Sequence, residues 1–360
     1  MITESIYRGD RSWFNTEDFI ITMDNMDNYT TQTAFCNCKD PEIKGLADEL
    51  REKSSDDREF IVNAFYYVRD EIKYFFEPFM KASETLNTKR GNCFNKANLL
   101  VALLRNEGIP GRFAFKWISG DCFIDVPIIN TKSRFMHKIK HGICEVYANG
   151  EWLEADCSRD KYLSPERTMD FDGKKSTKEH PYFLEKCGYS DDLTDAVREQ
   201  EKLGGKFGEA KQTFNILINT NIDDLRCKRS GVRMFNDEAI ENMSKRCHKL
   251  IDSLLEIRHR GDAKMALRSI EYYTKLYNYD VEVIDGKDRY CKFMLSFPEG
   301  VLRSTRLCLY NFLLGMVHGI NPDMTVDGRE EDGKWRVEMV DRSSNSGHIL
   351  SKMELMAKFL

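Results

Sequence analysis

Between Pro41 and Tyr74 apolar residues recur at spacings of three and four: Ile43, Leu46 and Leu50, then Ile61, Ala64, Phe65, Val68 and Ile72. That period predicts amphipathic helix, and the polar run Ser54-Ser55-Asp56-Asp57 divides it into two. Gly91 punctuates the chain. From Cys93 onward Ala97, Leu100, Val101 and Leu104 form another helical face, which stops at the breaker Gly108-Ile109-Pro110. The segments RFAFKWI, HGICEVYA and EWLEAD then alternate or run apolar, with an Asn149-Gly150 turn between the last two, and read as antiparallel strands. Helices followed by strands predict an α+β layered fold rather than alternating βαβ units.

Outside this block the pattern is weaker. Residues 1–45 form a lead-in in which Asn28–Phe35, NYTTQTAF, reads as a strand or extended arm. After Asp156 the chain turns polar. DFDGKKSTKEH reads as an exposed loop ahead of a helix near Leu193–Leu203, and the Gly-rich KLGGKFGEA marks a boundary. Beyond it come helices near 237–259, 262–277 and 299–317, strands DVEVID and RYCKFMLSF, a hairpin in TVDGREEDGKWRVEMV, and a last helix. The expected division is a lead-in at 1–45, a catalytic domain at 46–205 and a C-terminal α+β accessory or substrate-binding domain at 206–360. The length of 360 residues favours such a two-domain arrangement.

Composition narrows the function classes. With 41% hydrophobic and 31% charged residues and 8 prolines, a disordered or fibrous chain is excluded. A formal charge of -5 leaves no net positive field to gather a phosphate backbone, so nucleic acid is not an expected partner. The N-terminal residues lack the basic and apolar regions of an export signal, and no run reaches 18 uncharged apolar residues, so a cytoplasmic protein is expected. In that setting the eleven cysteines are expected as free thiols, most of them small buried hydrophobes. Cys36-x-Cys38 could offer two thiolates to zinc, but a closed site needs four ligands and no partner pair follows, so no metal is expected. Cys291, Cys308 and His318 fit a second reactive centre less well than core packing, since Cys308, Leu309, Phe312, Leu313 and Met316 keep helical spacing. No Walker A or dinucleotide turn is present, and no cofactor is expected.

One cysteine stands apart. A helix beginning at Cys93 would place its sulfur on unpaired backbone N–H groups at the positive end of the helix dipole, where a thiolate is favoured and a developing oxyanion can be bound. A nucleophile of this kind needs a base and a group that orients it. His141 opens one strand of the Asn149-Gly150 hairpin and Asp156 closes the other, so imidazole and carboxylate become cross-strand neighbours. His137 competes as the base, and Glu145 and Glu154 as the orienting carboxylate.

Gly91-x-Cys93, the Leu-rich run into Arg105-x-x-Gly108-Ile109-Pro110-x-Arg112, then His141-x-x-x-Glu145-Val146-Tyr147 and Trp152-x-x-x-Asp156 together resemble the transglutaminase-like branch of the papain-like cysteine enzymes, over about residues 57–158. The resemblance implies helices packed on an antiparallel sheet, with Cys93 as nucleophile, His141 as general acid/base and Asp156 as the carboxylate that orients His141. It also implies a second oxyanion donor from an upstream side chain, for which Tyr74 or a residue among the first 40 qualifies. Two departures stand out: Gly142 follows His141 where an aromatic commonly occurs within two residues, and Cys157-Ser158 follows Asp156 where Pro-Thr is frequent. The calcium-loop pattern of animal transglutaminases is not seen.

A Cys/His/Asp set attacks an acyl carbon, forms a thioester and passes the acyl group on. The resemblance allows protein transglutamination as well as amide synthesis in specialised peptide or polythioamide biosynthesis, and the expected activity is amide-forming acyl transfer from a carrier-protein thioester, a Gln-type amide, a small molecule or a peptide to an amine. The alternatives are a cysteine hydrolase, either a peptidase or a peptide N-glycanase-like amidase, and a non-catalytic binding module.

Overall fold

The computed structural model describes residues 26–132, 137–255, 261–274 and 277–342. The last helix expected from the sequence lies outside the described residues, as do residues 1–25 of the lead-in. The chain separates into two compact units: residues 1–122 with 134–203, and residues 123–133 with 204–360. This differs from the sequence division in assigning 123–133 to the second unit.

The first unit begins with α1 (Pro41–Glu52) and α2 (Asp57–Glu71), split where the sequence predicts. Asp40 and Asp56 cap them, their carboxylates accepting from Glu42 N and Glu59 N at 3.0 and 2.8 Å. Two short strands, β1 (Lys73–Tyr74) and β2 (Arg90–Gly91), pair in parallel on either side of α3 (Ala82–Thr88). Next comes α4 (Cys93–Asn106), whose residues Phe94–Arg105 are all buried, as in a helix enclosed by its neighbours. Its enclosed polar groups are matched, Asn98 Oδ1 excepted. Lys96 Nζ donates to Arg69 O and Ile72 O at 2.9 and 2.7 Å, and the Arg105 guanidinium reaches the carbonyls of Gly111, Thr31 and Asp191.

Strands β3 (Gly111–Ile118), β4 (Ile139–Ala148), β5 (Glu151–Ala155) and β6 (Phe183–Ser190) form an antiparallel sheet in the order β5-β4-β3-β6. The β4–β5 turn has positive φ at both Asn149 (55°) and Gly150 (86°), the requirement that Asn-Gly meets at least cost. The Arg105…Arg112 and Glu145-Val146-Tyr147 motifs serve the sheet. Arg112 lies opposite Glu145, is bonded to it at 2.7 Å, and sits over the Trp152 and Tyr189 rings at 4.0 and 3.6 Å.

Two expectations are corrected. Asn28–Phe35 is not a strand: a 3-10 turn spans Met26–Thr30, and the Thr30 and Thr31 hydroxyls bond back to Asp27 O and Asn28 O, which competes with ladder formation. The helix expected to end near Leu203 instead continues as α5 (Thr194–Ser230) through the Gly-rich stretch, within which the division between the two units falls, at Leu203/Gly204. The cost of each helical glycine, about 1 kcal/mol, is spread among strong helix formers such as Glu, Lys, Ala and Gln.

In the second unit α6 (Asp237–Leu255), α7 (Ala263–Tyr273) and α8 (Arg303–Ile320) accompany β7 (Asp280–Lys287), β8 (Tyr290–Ser296), β9 (Met324–Glu331) and β10 (Lys334–Asp341), an antiparallel sheet ordered β7-β8-β10-β9. Cys291 and Cys308 are buried with Leu309, Phe312 and Met316, as a core role requires, and His318 bonds His248 at 3.3 Å. Among the described residues no helix is long and apolar enough to cross a membrane.

Candidate active site

Cys93 is the first residue of α4, and Asn92 caps that helix, its side-chain oxygen accepting from Asn95 N at 3.0 Å. The same two asparagines fasten the preceding loop over the helix start. Asn92 Nδ2 donates to Glu77 O at 2.7 Å, Asn95 Nδ2 donates to Pro78 O at 2.8 Å, and Asn95 Oδ1 accepts from Met80 N at 3.1 Å. The Gly-x-Cys spacing has a steric cause: a Cβ at Gly91 would lie 2.8 Å from Cβ of Asn95. Tyr74, a candidate oxyanion donor, pairs with Gly91 across β1–β2, and its backbone N–H donates to buried Asp160 at 2.9 Å. That places Tyr74 on the strand beside the turn that delivers Cys93.

His141 lies on β4 and Asp156 just beyond β5, 5% and 6% exposed. Their contact is a diagonal one: the β4–β5 register ends at Cys144 opposite Ala155, which places Asp156 opposite Ile143, on the same face as His141. His141 Nε2 and Asp156 Oδ2 are 2.9 Å apart. Asp156 is itself held, with Ser158 N donating to Oδ1 at 3.0 Å and Asp156 N donating to Thr177 Oγ1 at 3.3 Å. Cys93 is near enough to interact with the same imidazole, whose Nε2 is taken by Asp156. The structure therefore brings Cys93, His141 and Asp156 together.

Burial opposes charge on His141, but the adjacent Asp156 carboxylate and the contact with Cys93 outweigh it and raise the imidazole from 6.5 to about 10. Burial likewise opposes the Asp156 anion, and His141 more than offsets it, holding that carboxyl well below its ordinary range. At neutral pH the pair is thus imidazolium and carboxylate. Cys157, close by, is buried and its thiol is pushed up to about 12, so it does not compete as a nucleophile.

The rival assignments have other work. His137 is exposed ahead of β4. Glu145 is bonded to Arg112, and Glu154 to Lys116 at 2.6 Å and Lys186 at 3.1 Å. Cys36 and Cys38 are buried in the hydrophobic core, and among the described residues no group of three or more His, Cys, Asp or Glu is placed to hold a metal.

Gly142, a departure from the expected pattern, is explained by Phe94. A Cβ at Gly142 would stand 2.6 Å from the Phe94 ring, which packs against Phe79 and Phe115 with centroids 5.1 and 6.0 Å away. The missing side chain lets β4 approach the first turn of α4. Gly142→Ala is therefore expected to displace Phe94 and, with it, Cys93 from His141. A misplacement near 1 Å costs about 100-fold in rate, and overpacking costs about 1–3 kcal/mol of stability. Acyl-enzyme formation rates and a thermal melt check this, and a variant matching wild type in both would show that the methyl is accommodated.

The transglutaminase-like superfamily sequence model matches residues 44–157, the stretch that runs from α1 to just past Asp156. This stretch is a transglutaminase-like domain. A transglutaminase-like domain supports a cysteine-based catalytic function. Among solved structures the chain is similar to a candidate cysteine protease from Cytophaga hutchinsonii, at 18% identity and a TM-score of 0.34, over 49% of this chain and 50% of that one. The match thus spans about half the length of that protein. No curated protein is significantly similar to the chain.

Beside the three candidate residues the structure adds one that sequence reasoning missed. The His180 ring lies against His141, with centroids 5.2 Å apart. Nothing in the local sequence marks it, because its position depends on β6 returning to pair with β3. Its only sequence signal is residue type.

Proposed function

We propose that the protein is a cysteine-dependent acyltransferase that forms amide bonds through a thioester on Cys93. The observation that carries this reading is the buried His141–Asp156 pair at 2.9 Å, facing a cysteine that opens a helix. The imidazolium favours the sulfur anion electrostatically, and α4's free N–H groups face the carbonyl oxygen under attack. The C–S bond forms as the sulfur attacks the acyl carbon. As the tetrahedral centre collapses, the bond to the leaving amine or thiol breaks and His141 supplies its proton. An incoming amine gives a proton to His141, its nitrogen forms the new C–N bond, and the C–S bond breaks.

Transfer rather than hydrolysis is supported by the burial of His141 and Asp156, since amines prevail where water is scarce. The donor is a carrier-protein thioester or a Gln-type amide, the acceptor a small amine as in specialised metabolite assembly, and eleven free thiols agree with a reducing, cytoplasmic setting. Intact-mass spectrometry after exposure to an activated acyl thioester, or to a Gln peptide, with and without a primary amine, tests the reading. An adduct on Cys93 that the amine converts to amide, with little free acid, is the expected result. Free acid at the same yield with amine present would identify a hydrolase, and no adduct from any donor would favour a binding module.

A further inference from the structure

We propose that His180 is a positioning residue of this site: its ring covers the His141–Asp156 pair, keeps water from it and holds the His141 imidazole in the plane from which it meets Cys93. The inference rests on the triad reading above. Its basis is the placement of a half-buried imidazole whose centroid is 5.2 Å from that of His141, with the planes inclined at 47°. Both distance and tilt fall in the range of attractive aromatic pairs.

The segment bearing His180 is held from several sides. Tyr182 N donates to His180 Nδ1 at 3.3 Å, so the proton of the neutral ring sits on Nε2. Phe183 N donates to His180 O at 2.9 Å, and Ser119 N donates to Tyr182 O at 2.8 Å, which ties the segment to the end of β3. Glu179, immediately before, is paired with buried Lys116 at 2.7 Å, and Lys116 lies opposite His141 in the β3–β4 ladder. The His180 ring is therefore fixed by backbone and ion-pair contacts that do not involve the pair it covers.

The cover must be uncharged, because a second cation against the His141 imidazolium would be repelled. Burial first and the His141 charge second bring His180 down from 6.5 to about 4, with Arg159 and Lys116 adding and Asp156 opposing. The charged or titratable groups facing it are thus Lys116 from β3, His141 from β4, Asp156 and Arg159 from the segment after β5, and Glu179 and Tyr182 from its own segment. An uncharged aromatic ring at this point lowers the local dielectric and so strengthens the ion pair beneath it.

The test reads Cys93 directly and needs no substrate. Iodoacetamide alkylation of Cys93, followed by peptide mass mapping from about pH 5 to 9, is compared for wild type, His180→Ala, His180→Phe and His141→Ala. His180→Ala is expected to slow Cys93 alkylation at mildly acidic pH by about 3- to 10-fold, the range an aromatic pair is worth, and to move the pH–rate curve upward. His180→Phe, which restores an uncharged aromatic cover, is expected to return the wild-type curve. If His180→Ala matches wild type, or His180→Phe is as slow as His180→Ala, while His141→Ala is slow, this inference is overturned and the triad reading stands. If His141→Ala itself reacts as wild type does, the triad reading falls and this inference with it.

Discussion

Cys93→Ala is expected to abolish turnover and adduct formation while leaving the fold intact, and in the wild-type protein a limiting dose of iodoacetamide is expected to label Cys93 ahead of the other ten thiols. All eleven cysteines are free, and eight are buried. Of the partly exposed three, Cys187 has its thiol pushed up to about 11 by burial, which leaves it protonated at neutral pH. Cys227, which contacts the Arg233 guanidinium, is the real competitor. Cys93 differs from Cys227 in two ways: it opens a helix, and it faces an imidazolium held in place by a buried carboxylate. Replacing the nucleophile of a Ser/His/Asp-type set costs about 10⁶-fold, and what survives comes from binding and the oxyanion site alone. Peptide mapping of the alkylated protein decides the matter. Label on Cys227 with Cys93 unmodified would remove Cys93 from the mechanism, whatever the triad geometry.

How far the sequence leads to this site depends on the range of the interactions involved. α4 is readable because its period, its Asn cap and its Gly108-Ile109-Pro110 stop are all local, and local signals are where pattern reading is strongest. The hairpin is readable for the same reason: Asn149 and Gly150 adopt the positive φ that their identity announces, and the loop length sets the register that brings Asp156 alongside His141's face. Phe183–Ser190 is different. FLEKCGYS has no alternation, since β6 is an edge strand with half-exposed side chains and register shifts in its pairing with β3, so the backbone ladder rather than a hydrophobic face makes it a strand. The location of His180 inherits that opacity. The Thr-rich stretch fails in the opposite sense, because β propensity at Thr30 and Thr31 is overridden by hydroxyls that bond the chain's own carbonyls. The glycines of α5 mislead because a breaker in a long, strongly helical sequence is a cost rather than a stop.

Asp156→Asn is expected to spare the fold and to slow acylation by about 10⁴-fold, the loss seen when a triad imidazole is deprived of its anion. The structural reason is specific. Asp156 is the main influence raising His141 to about 10 against the opposing effect of burial. With a neutral amide in its place burial prevails, so the His141 ring loses its proton at neutral pH and no longer faces the sulfur as a cation. Thermodynamic linkage adds a second signature. His141's folded-state value lies above its unfolded 6.5, so the stability it contributes is complete below pH 6.5 and is lost as pH rises through about 10. Asp156 works the other way: its contribution is present above its unfolded 3.8 and is lost as pH falls through the lower folded-state value. Wild type should therefore be most stabilised by this pair between about pH 4 and 6.5, with an alkaline decline that the Asn variant lacks. Denaturant midpoints across pH, with the His141 ring resonance followed by NMR, test both parts. A His141 that stays protonated at neutral pH in the Asn variant, together with less than tenfold loss of acylation, would reduce Asp156 to a hairpin-end carboxylate and leave the imidazole oriented by some other group.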